Sequence, residues 1–181
     1  MRIFIAIRLN NHIKSHLNGM AKQLSQHFSK ARFTSPENYH ITLKFIGEVD
    51  RTGFNKTVQA VKKAVREIDR FSISTREPGS FKKGNKRIFY CSVENSTELR
   101  NLYESVCSQL EEAGVESNPG KFNPHITLAR EVIVNEINPR TDFGKKIIKV
   151  EAISVMESTR VNKKLTYIPQ YIAKLRSNHN G

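Results

Sequence analysis

Two copies of a His-x-Thr-x motif hold the residues of this chain with the clearest chemical potential. Residues 40–43 read His-Ile-Thr-Leu, and residues 125–128 repeat the same four letters. Each copy lies in an apolar, β-branched run, residues 39–46 and 124–129, that predicts a strand. Because side chains two apart on a strand share a face, His40 should point with Thr42, and His125 with Thr127. Two imidazoles beside hydroxyls suit an acid/base pair that acts on an oxyanion.

The duplication makes the motif informative. Histidine and threonine are both common in strands, so a single copy would most simply be an ordinary strand with a satisfied histidine. Here the copies lie nearly half the chain apart, and each follows a proline and an asparagine: Pro36 and Asn38 in one case, Asn123 and Pro124 in the other. The repeat favours two functional histidines in two related halves of the chain.

The composition is strongly basic. The chain has 181 residues, with 30 Lys and Arg against 17 Asp and Glu, and a formal net charge of +13. The length suits one domain, or two small lobes that share a core. The charge favours a polyanionic partner, RNA or DNA more than a membrane, and a solvated basic surface without function is the alternative. No run approaches the ~20 apolar residues of a membrane span, and residues 1–8 do not resemble a signal peptide.

Few residues suit metal or cofactor binding. Cys91 and Cys107, without C-x-x-C spacing, predict a reduced, cytoplasmic protein with no thiolate metal site. Neither histidine motif has Asp, Glu or Cys at ligand spacing, and zinc takes three or four ligands. His12 and His16 are four apart on a predicted helix but lack the Glu of H-E-x-x-H. With no glycine-rich phosphate loop either, we expect no metal and no cofactor.

The spacing of apolar residues predicts an order of strand, helix and motif strand that occurs twice. Asn10 or Asn11 should cap the first helix and Asp50 the second. Pro139 argues against a helix after the second motif strand, and Pro169 makes the last strand an edge strand. The predicted elements are a strand at 2–9, a helix at 13–28, the first motif strand, a helix at 54–68, two or three strands in 71–93 with turns at 78–79 and 83–85, a helix at 99–110, the second motif strand, and strands at 147–156 and 165–175.

These features together resemble the two-histidine (2H) phosphoesterases. Within that superfamily they are most similar to the RNA 2′,3′-cyclic phosphodiesterases, or 2′-5′ RNA ligase-like proteins. The resemblance extends from the first residues to about residue 175. Besides the two motifs, the similar segments are residues 2–7, residues 44–49 after the first motif, residues 129–130 after the second, and residues 153–158.

The repeat and the resemblance agree on the fold. Both imply an α+β protein built as a bilobal duplication, in which a pseudo-twofold axis brings the two His-x-Thr faces together across a central groove. The resemblance adds a mainly antiparallel sheet in each lobe, with helices on the outside. No linker rich in Gly, Pro or Ser separates the halves, so we expect one domain over residues 1–175 and a polar tail over 176–181.

The resemblance also implies an activity: hydrolysis of RNA 2′,3′-cyclic phosphate ends to 2′-phosphates, without a metal ion. By this resemblance His40 is the acid that releases the 3′ oxygen and His125 the base that activates water, although the residues alone do not assign the roles. Two imidazoles near the ordinary pKa of ~6.5 would share these tasks at neutral pH. Thr42 and Thr127 would donate to the non-bridging phosphate oxygens.

Arg130 is a further phosphate-binding candidate by the family pattern. It follows Thr127 by three residues, so strict alternation would turn it away from the groove. A phosphate contact therefore needs the strand to end or bulge after Leu128, and a salt-bridged or solvated arginine is the alternative. Weaker candidates for contact with the RNA backbone or bases are Lys44, Arg87, Phe33 and Tyr39.

Several alternatives stay open at this point. The same site could act on a small cyclic nucleotide, ADP-ribose cyclic phosphate or a 2′-5′ oligonucleotide, or run the ring opening backwards as an ATP-independent 2′-5′ ligase. A module that only binds RNA ends is the non-enzyme alternative, but binding needs Lys and Arg more than poised imidazoles. The expected partner is RNA with a 2′,3′-cyclic phosphate end; we expect no protein partner and a monomeric chain.

Overall fold

The computed structural model describes residues 1–117, 120–134 and 143–177. A short 3-10 turn, Pro36–Asn38, precedes the first motif strand. The helices and strands of the described residues are, in chain order, β1 Arg2–Arg8, α1 Asn11–Ser25, β2 Phe28–Phe33, β3 His40–Glu48, α2 Arg51–Ala64, β4 Phe71–Lys83, β5 Lys86–Val93, α3 Thr97–Glu112, β6 His125–Val134, β7 Ile147–Val150, β8 Ala152–Val161 and β9 Lys164–Lys174.

The strands form two antiparallel sheets with related topology. Their strand orders are β3-β1-β8-β9 and β2-β6-β5-β4-β7. Motif strand β3 pairs with β1, and α1 and β2 lie between them in the chain; motif strand β6 pairs with β5, and α3 lies between them. Thr42 lies opposite Ala6 in the first pair, and Thr127 opposite Tyr90 in the second. The predicted α+β fold of two related antiparallel lobes with outer helices is confirmed.

Each helix begins at a side-chain cap. Ile13 N–H donates to the Asn10 side chain over 2.9 Å, Gly53 N–H to Asp50 over 2.7 Å, and Leu99 N–H to Ser96 over 3.2 Å. These bonds satisfy amide groups that have no partner inside the helix. The predicted caps Asn10 and Asp50 are therefore confirmed. Behind the caps, one apolar face of each helix is buried in a core that also contains residues of both sheets.

The first helix is shorter than the sequence predicts. Residues 13–28 carry one helical stripe, but α1 ends at Ser25, and Phe28 begins β2, which pairs with β6. Phe28 packs against the core, with its ring centroid 4.6 Å from that of Phe89, so its apolar side chain matches the helical spacing. It reaches the core from strand β2 and not from the helix. This difference places Arg32 opposite Arg130 in the β2–β6 pair.

The predicted strand at 147–156 is wrong in one respect, because it is two strands in different sheets. β7 pairs with β4, whereas β8 pairs with β1 and β9, and the chain crosses between the sheets at the exposed Glu151. The expected break at residues 78–79 is instead an irregularity of register inside the long strand β4. β9 is an edge strand that carries Pro169, as predicted. Pro139 lies outside the described residues.

The end of the chain joins the fold beyond residue 175. Arg176 N–H donates to the Ile68 carbonyl over 2.9 Å, its own carbonyl accepts from Arg70 over 3.0 Å, and its guanidinium pairs with Asp69. The division into one domain over 1–175 and a tail over 176–181 stays a prediction, with residues 178–181 outside the described part. Among the described residues, no helix combines the length and apolar character needed to cross a membrane.

Asn38 joins the turn before β3 to the distant strand β9. Its side chain is 7% exposed. The amide nitrogen donates to the Leu165 carbonyl over 2.9 Å, and the amide oxygen accepts from Tyr167 N–H over 3.2 Å. One buried side chain thereby satisfies two backbone groups of β9.

We expect Asn38→Ala to lower the free energy of unfolding by about 1–3 kcal/mol, because it leaves buried backbone groups without partners. Urea denaturation followed by circular dichroism measures this change. Asn55→Ala, which alters an exposed position of α2, is the matched control and should stay within about 0.5 kcal/mol of the original protein. Equal stability of both variants would show that the Asn38 bonds contribute nothing to the fold.

Candidate functional site

The two motif strands face one groove between the sheets. This groove, of about 730 Å³, is lined by His40 and Thr42 from β3 and by His125 and Thr127 from β6. The alternate residues Ile41, Leu43, Ile126 and Leu128 are buried in the core. The predicted alternation of polar and apolar faces is thus confirmed. The contact between β3 and β6 brings the four motif side chains to the same cavity.

Both imidazoles are oriented by the same backbone hydrogen bond. His40 Nδ1 lies 2.7 Å from the Asn38 carbonyl oxygen, and His125 Nδ1 lies 2.7 Å from the Asn123 carbonyl oxygen. A carbonyl oxygen only accepts, so each Nδ1 must carry the proton and donate it. The neutral rings therefore have their lone pair on Nε2. For His40 this atom is 2.9 Å from the Thr42 hydroxyl, which can donate to it.

Two aromatic rings pack against each imidazole. The His40 ring centroid lies 4.9 Å from that of Phe4 and 5.2 Å from that of Tyr167. The His125 ring centroid lies 5.2 Å from those of both Phe81 and Tyr90. These contacts restrict rotation of the rings and exclude water from their faces, which a positioned acid or base requires.

Gly79 makes room for one of these rings. It lies opposite Tyr90 in the β4–β5 pair, and a Cβ built at Gly79 would be 2.6 Å from the Tyr90 ring. Tyr90 also stacks on Phe81, with 4.4 Å between centroids. Only glycine at this position allows the two rings to pack together against His125.

Burial lowers the pKa of both histidines, so the expected ordinary values are wrong for the free protein. Desolvation is the main cause for each, and the Asn38 and Asn123 carbonyls oppose it only in part. The pKa of His40 falls to about 4, with further lowering by the charges of Arg130, His125 and Lys14. The pKa of His125 is also lowered, by burial first and by Arg130. At neutral pH the free site therefore holds two neutral imidazoles.

Arg130 lines the groove because β6 bulges. The consecutive residues Leu128 and Ala129 are both buried, at 1% and 0% exposure, which breaks the alternation of faces. The register with β5 shifts at the same point, between Phe89 and Tyr90. This is the bulge after Leu128 that a phosphate contact requires. The position of Arg130 agrees with the family pattern, and its binding role stays a prediction.

Arg32 is a groove residue that the sequence interpretation missed. It lines the groove beside Arg130, and its Nε lies 3.0 Å from Glu131, which is also 3.5 Å from Lys86. Glu131 has a positive φ of 54° at the end of the bulge. The alternation of Lys30 and Arg32 is the local sign of a strand here. We missed it because the apolar spacing up to Phe28 had been assigned to a helix.

The weaker candidates are distributed over different surroundings. Lys44 lies 5.6 Å from the Tyr103 ring in a neighbouring cleft. Arg87 donates to Ser80 over 2.9 Å. Tyr39 is part of the core and is not available for base stacking, whereas Phe33 is 45% exposed. Other groove residues that the sequence did not single out are Arg2, Phe4, Phe81 and Tyr167.

The donor groups of the described residues do not form a recognisable metal site. In residues 1–117, 120–134 and 143–177 no group of three or more His, Cys, Asp and Glu side chains converges. Cys91 and Cys107 are both free thiols. His16 lies on α1, away from the groove, where burial lowers its pKa.

Comparison with known proteins identifies similar chains over nearly the full length. The 2′-5′ RNA ligase superfamily model matches residues 12–143. An RNA 2′,3′-cyclic phosphodiesterase of Thermotoga maritima is 33% identical over 168 residues, which cover 88% of this chain and 87% of that protein. Another, of Archaeoglobus fulgidus, is 30% identical over 158 residues, covering 87% and 86%.

Solved structures share the fold. The protein TT0787 of Thermus thermophilus superposes with a TM-score of 0.79 at 25% identity, over 99% of this chain and 100% of that one. The E. coli protein LigT complexed with 3′-AMP also has a TM-score of 0.79, at 21% identity, over 96% of this chain and 97% of that one. The second similarity is one of fold.

We expect Arg130→Gln to raise the pKa of both groove histidines, because its positive charge disfavours each imidazolium. NMR titration of the imidazole resonances measures this in the free protein. Arg87→Gln is the matched control: it removes the same charge from a residue bonded to Ser80 and should leave both pKa values unchanged. Unchanged values in Arg130→Gln would contradict the position assigned to this guanidinium.

Proposed function

The chain belongs to the 2′-5′ RNA ligase superfamily, and we propose that it is an RNA 2′,3′-cyclic phosphodiesterase that leaves a 2′-phosphate. One observation carries the proposal: His40 and His125 present Nε2 to the same groove, beside two threonines and Arg130. A cyclic phosphodiester needs a base on one side of the phosphorus and an acid on the other. The names of the curated relatives support the substrate class.

The phosphate is held by donors and positive charge. The Thr42 and Thr127 hydroxyls donate to the two non-bridging oxygens, and Arg130 neutralises the negative charge that grows on them in the transition state. The described lining of the groove includes Arg2 and Arg32 and no carboxylate, which suits a monoanionic diester. Fixing the phosphorus between the rings lowers the barrier by orienting the water and the leaving oxygen.

The two imidazoles exchange protons with the substrate. Neutral His125 accepts a proton at Nε2 from water, whose oxygen forms a bond to phosphorus. The bond from phosphorus to the ribose 3′ oxygen breaks, and the Nε2 proton of His40 passes to that oxygen. The product carries a 2′-phosphate and a 3′-hydroxyl. His40 is then neutral and His125 protonated, and proton exchange with water restores the starting state.

The bound anion solves the problem that His40 must be protonated although burial lowers its pKa. A negative phosphate next to Nε2 stabilises the imidazolium and raises its pKa in the complex. The acid is therefore charged mainly when substrate is present. In the free protein the low pKa avoids a buried positive charge near Arg130.

The same site would act as an ATP-independent ligase if a ribose 5′-hydroxyl took the place of water. Its oxygen would bond to phosphorus while His125 accepts its proton, the bond to the 3′ oxygen would break with His40 donating the proton, and a 2′-5′ linkage would form. Neither reaction uses a metal ion in this proposal. The motifs supply the acid, the base and the phosphate contacts from side chains alone.

An assay with a 5′-labelled oligoribonucleotide that ends in a 2′,3′-cyclic phosphate tests the activity. The expected product is the 2′-phosphate, formed at the same rate with and without EDTA. Accumulation of the 3′-phosphate would overturn the acid role of His40. A loss of rate in EDTA that zinc or manganese restores would overturn metal independence, and absence of both products would overturn the proposed function.

We expect His40→Ala and His125→Ala each to lower kcat by at least about 10²-fold, the lower range of general acid or base catalysis. KM should change far less, because the threonines and arginines keep the phosphate. The double variant should lose much less than the product of the single losses, since the residues act as a unit.

His12→Ala is the matched control, because His12 is an exposed residue of α1. Its kcat should be that of the original protein. Circular dichroism shows whether each variant is folded. A folded His40→Ala or His125→Ala variant with more than about a tenth of the original kcat would exclude that histidine as acid or base.

A further inference from the structure

We propose that the RNA strand bearing the cyclic phosphate leaves the catalytic groove on the side of His40, across the β8–β9 hairpin, and that Arg160 and Lys164 bind its upstream phosphates. The inference rests on the proposed function and extends it to the path of the polynucleotide. It follows from two clefts that open from the groove, from their different charges, and from the geometry of in-line displacement.

The first cleft, named here the His40 cleft, has a volume of about 240 Å³. It contains His40 but not His125, and it shares Thr127 and Arg130 with the central groove. Its other cations are Arg32 from β2 and Arg160 and Lys164 from the β8–β9 hairpin. No carboxylate is among its described lining residues.

The second cleft, named the His125 cleft, has no described lining residue in common with the first. It also measures about 240 Å³ and contains His125 but not His40. Its described cations are Lys44 and Lys121, and Lys44 lies over the Tyr103 ring at 5.6 Å. The two clefts are equal in size, but the His40 cleft has four permanent cations, among them three guanidinium groups, against two ammonium groups.

A tight hairpin turn positions two cations of the His40 cleft. Arg160 and Lys164 lie near a two-residue turn, flanked by Val161 and Lys164, in which Asn162 and Lys163 both have positive φ, 48° and 65°. This geometry is that of a tight type I′ hairpin. Arg160 Nη1 also donates to the Lys163 carbonyl over 3.0 Å. Guanidinium groups held on a rigid hairpin bind phosphates with little loss of conformational entropy.

Two cations of this cleft have carboxylate partners outside its lining, and both pairs are exposed. Arg32 pairs with Glu131 over 3.0 Å, and Lys164 lies 3.9 Å from Glu37, with side-chain exposures of 62% and 46% in the first pair and 62% and 75% in the second. Such exposed pairs contribute little, so a phosphate can compete for the ammonium group. Phe33, at the same cleft, is 45% exposed and offers a face on which a base can stack.

The chemistry places the ribose on the acid's side. In-line attack puts the water and the departing 3′ oxygen on opposite sides of the phosphorus. The 3′ oxygen belongs to the ribose of the last nucleotide, so this ribose and the strand attached to its 5′ side lie beside the acid. With His40 as the acid, the strand enters the His40 cleft and water arrives from the His125 cleft. Charge and mechanism therefore indicate the same direction.

This agreement has a further consequence for the two histidines. The pseudo-twofold arrangement gives both rings the same Nδ1 bond, so the motifs alone do not distinguish acid from base. The clefts differ, and a polyanionic strand takes the more cationic one. The difference in charge between the clefts thus supports the acid role of His40 on a ground separate from the family resemblance.

Two double variants with the same change of net charge test the proposal: Arg160→Gln with Lys164→Gln, and Lys44→Gln with Lys121→Gln. Each is measured with a short oligoribonucleotide 2′,3′-cyclic phosphate and with a nucleoside 2′,3′-cyclic phosphate, over a series of salt concentrations. Thermal unfolding verifies that both are folded. A charge-conserving variant, Arg160→Lys with Lys164→Arg, separates loss of charge from a change in the hairpin.

The double variant at Arg160 and Lys164 should lower kcat/KM for the oligonucleotide about tenfold. The slope of log kcat/KM against log salt concentration should become about 1.4 less steep, since each phosphate contact on a single strand contributes about 0.7. The nucleoside substrate should change less than about threefold. The charge-conserving variant should keep the salt slope, and the Lys44 and Lys121 pair should keep both properties.

An equal or larger loss in the Lys44 and Lys121 pair would overturn the proposed path, and so would an unchanged oligonucleotide rate in both pairs. A loss of salt slope in the charge-conserving variant would also overturn it. Failure of the unsubstituted protein to hydrolyse either substrate is a different result: it would overturn the proposed function itself.

Discussion

The hydrogen bond from each imidazole Nδ1 to the backbone carbonyl two residues earlier is the constraint on which the rest of the site depends. It occurs at His40 with Asn38 and at His125 with Asn123, at 2.7 Å in both cases. Because the carbonyl only accepts, it fixes the tautomer and directs Nε2 into the groove. Before β3 the accepting carbonyl belongs to the last residue of the 3-10 turn Pro36–Asn38. The buried Asn38 side chain holds this turn in place by its bonds to β9.

Burial has opposite effects on the free and the bound site. Phe4 and Tyr167 around His40, and Phe81 and Tyr90 around His125, exclude water and lower both pKa values. The same low-dielectric surroundings strengthen the attraction between an imidazolium and a bound phosphate. In a site where burial disfavours the imidazolium, a bound anionic substrate therefore raises the imidazole pKa strongly. Arg130 disfavours the imidazolium in the free site, and in the proposed mechanism it also binds the phosphate.

Local patterns in the sequence predicted what is local in the structure. The alternation at His40 and His125, the helix caps Asn10 and Asp50, and the edge strand with Pro169 are properties of short segments, and all are confirmed. The repeat of strand, helix and motif strand was enough to predict two related lobes.

The missed features depend on contacts between distant segments. Arg32 enters the groove only because β2 pairs with β6, and Tyr167 because Asn38 anchors β9 beside His40. The sequence gives no sign of the crossing at Glu151 between two sheets, because residues 147–156 contain no Gly, Pro or Asn that would mark a break. The lowered histidine pKa values likewise result from burial, to which aromatic rings from β1, β4, β5 and β9 contribute. No motif spacing encodes these contacts.

The pH dependence of kcat/KM and of kcat for a nucleoside 2′,3′-cyclic phosphate tests the central claim, that a bound phosphate activates a buried pair of imidazoles. The kcat/KM profile reports the free protein and the kcat profile the complex. Since burial lowers both free pKa values, kcat/KM should be maximal below pH ~6.5, the ordinary pKa of histidine. Since the bound anion raises the pKa of the imidazoles, the kcat maximum should lie at higher pH. Two superimposed profiles centred at or above pH ~6.5 would contradict the account.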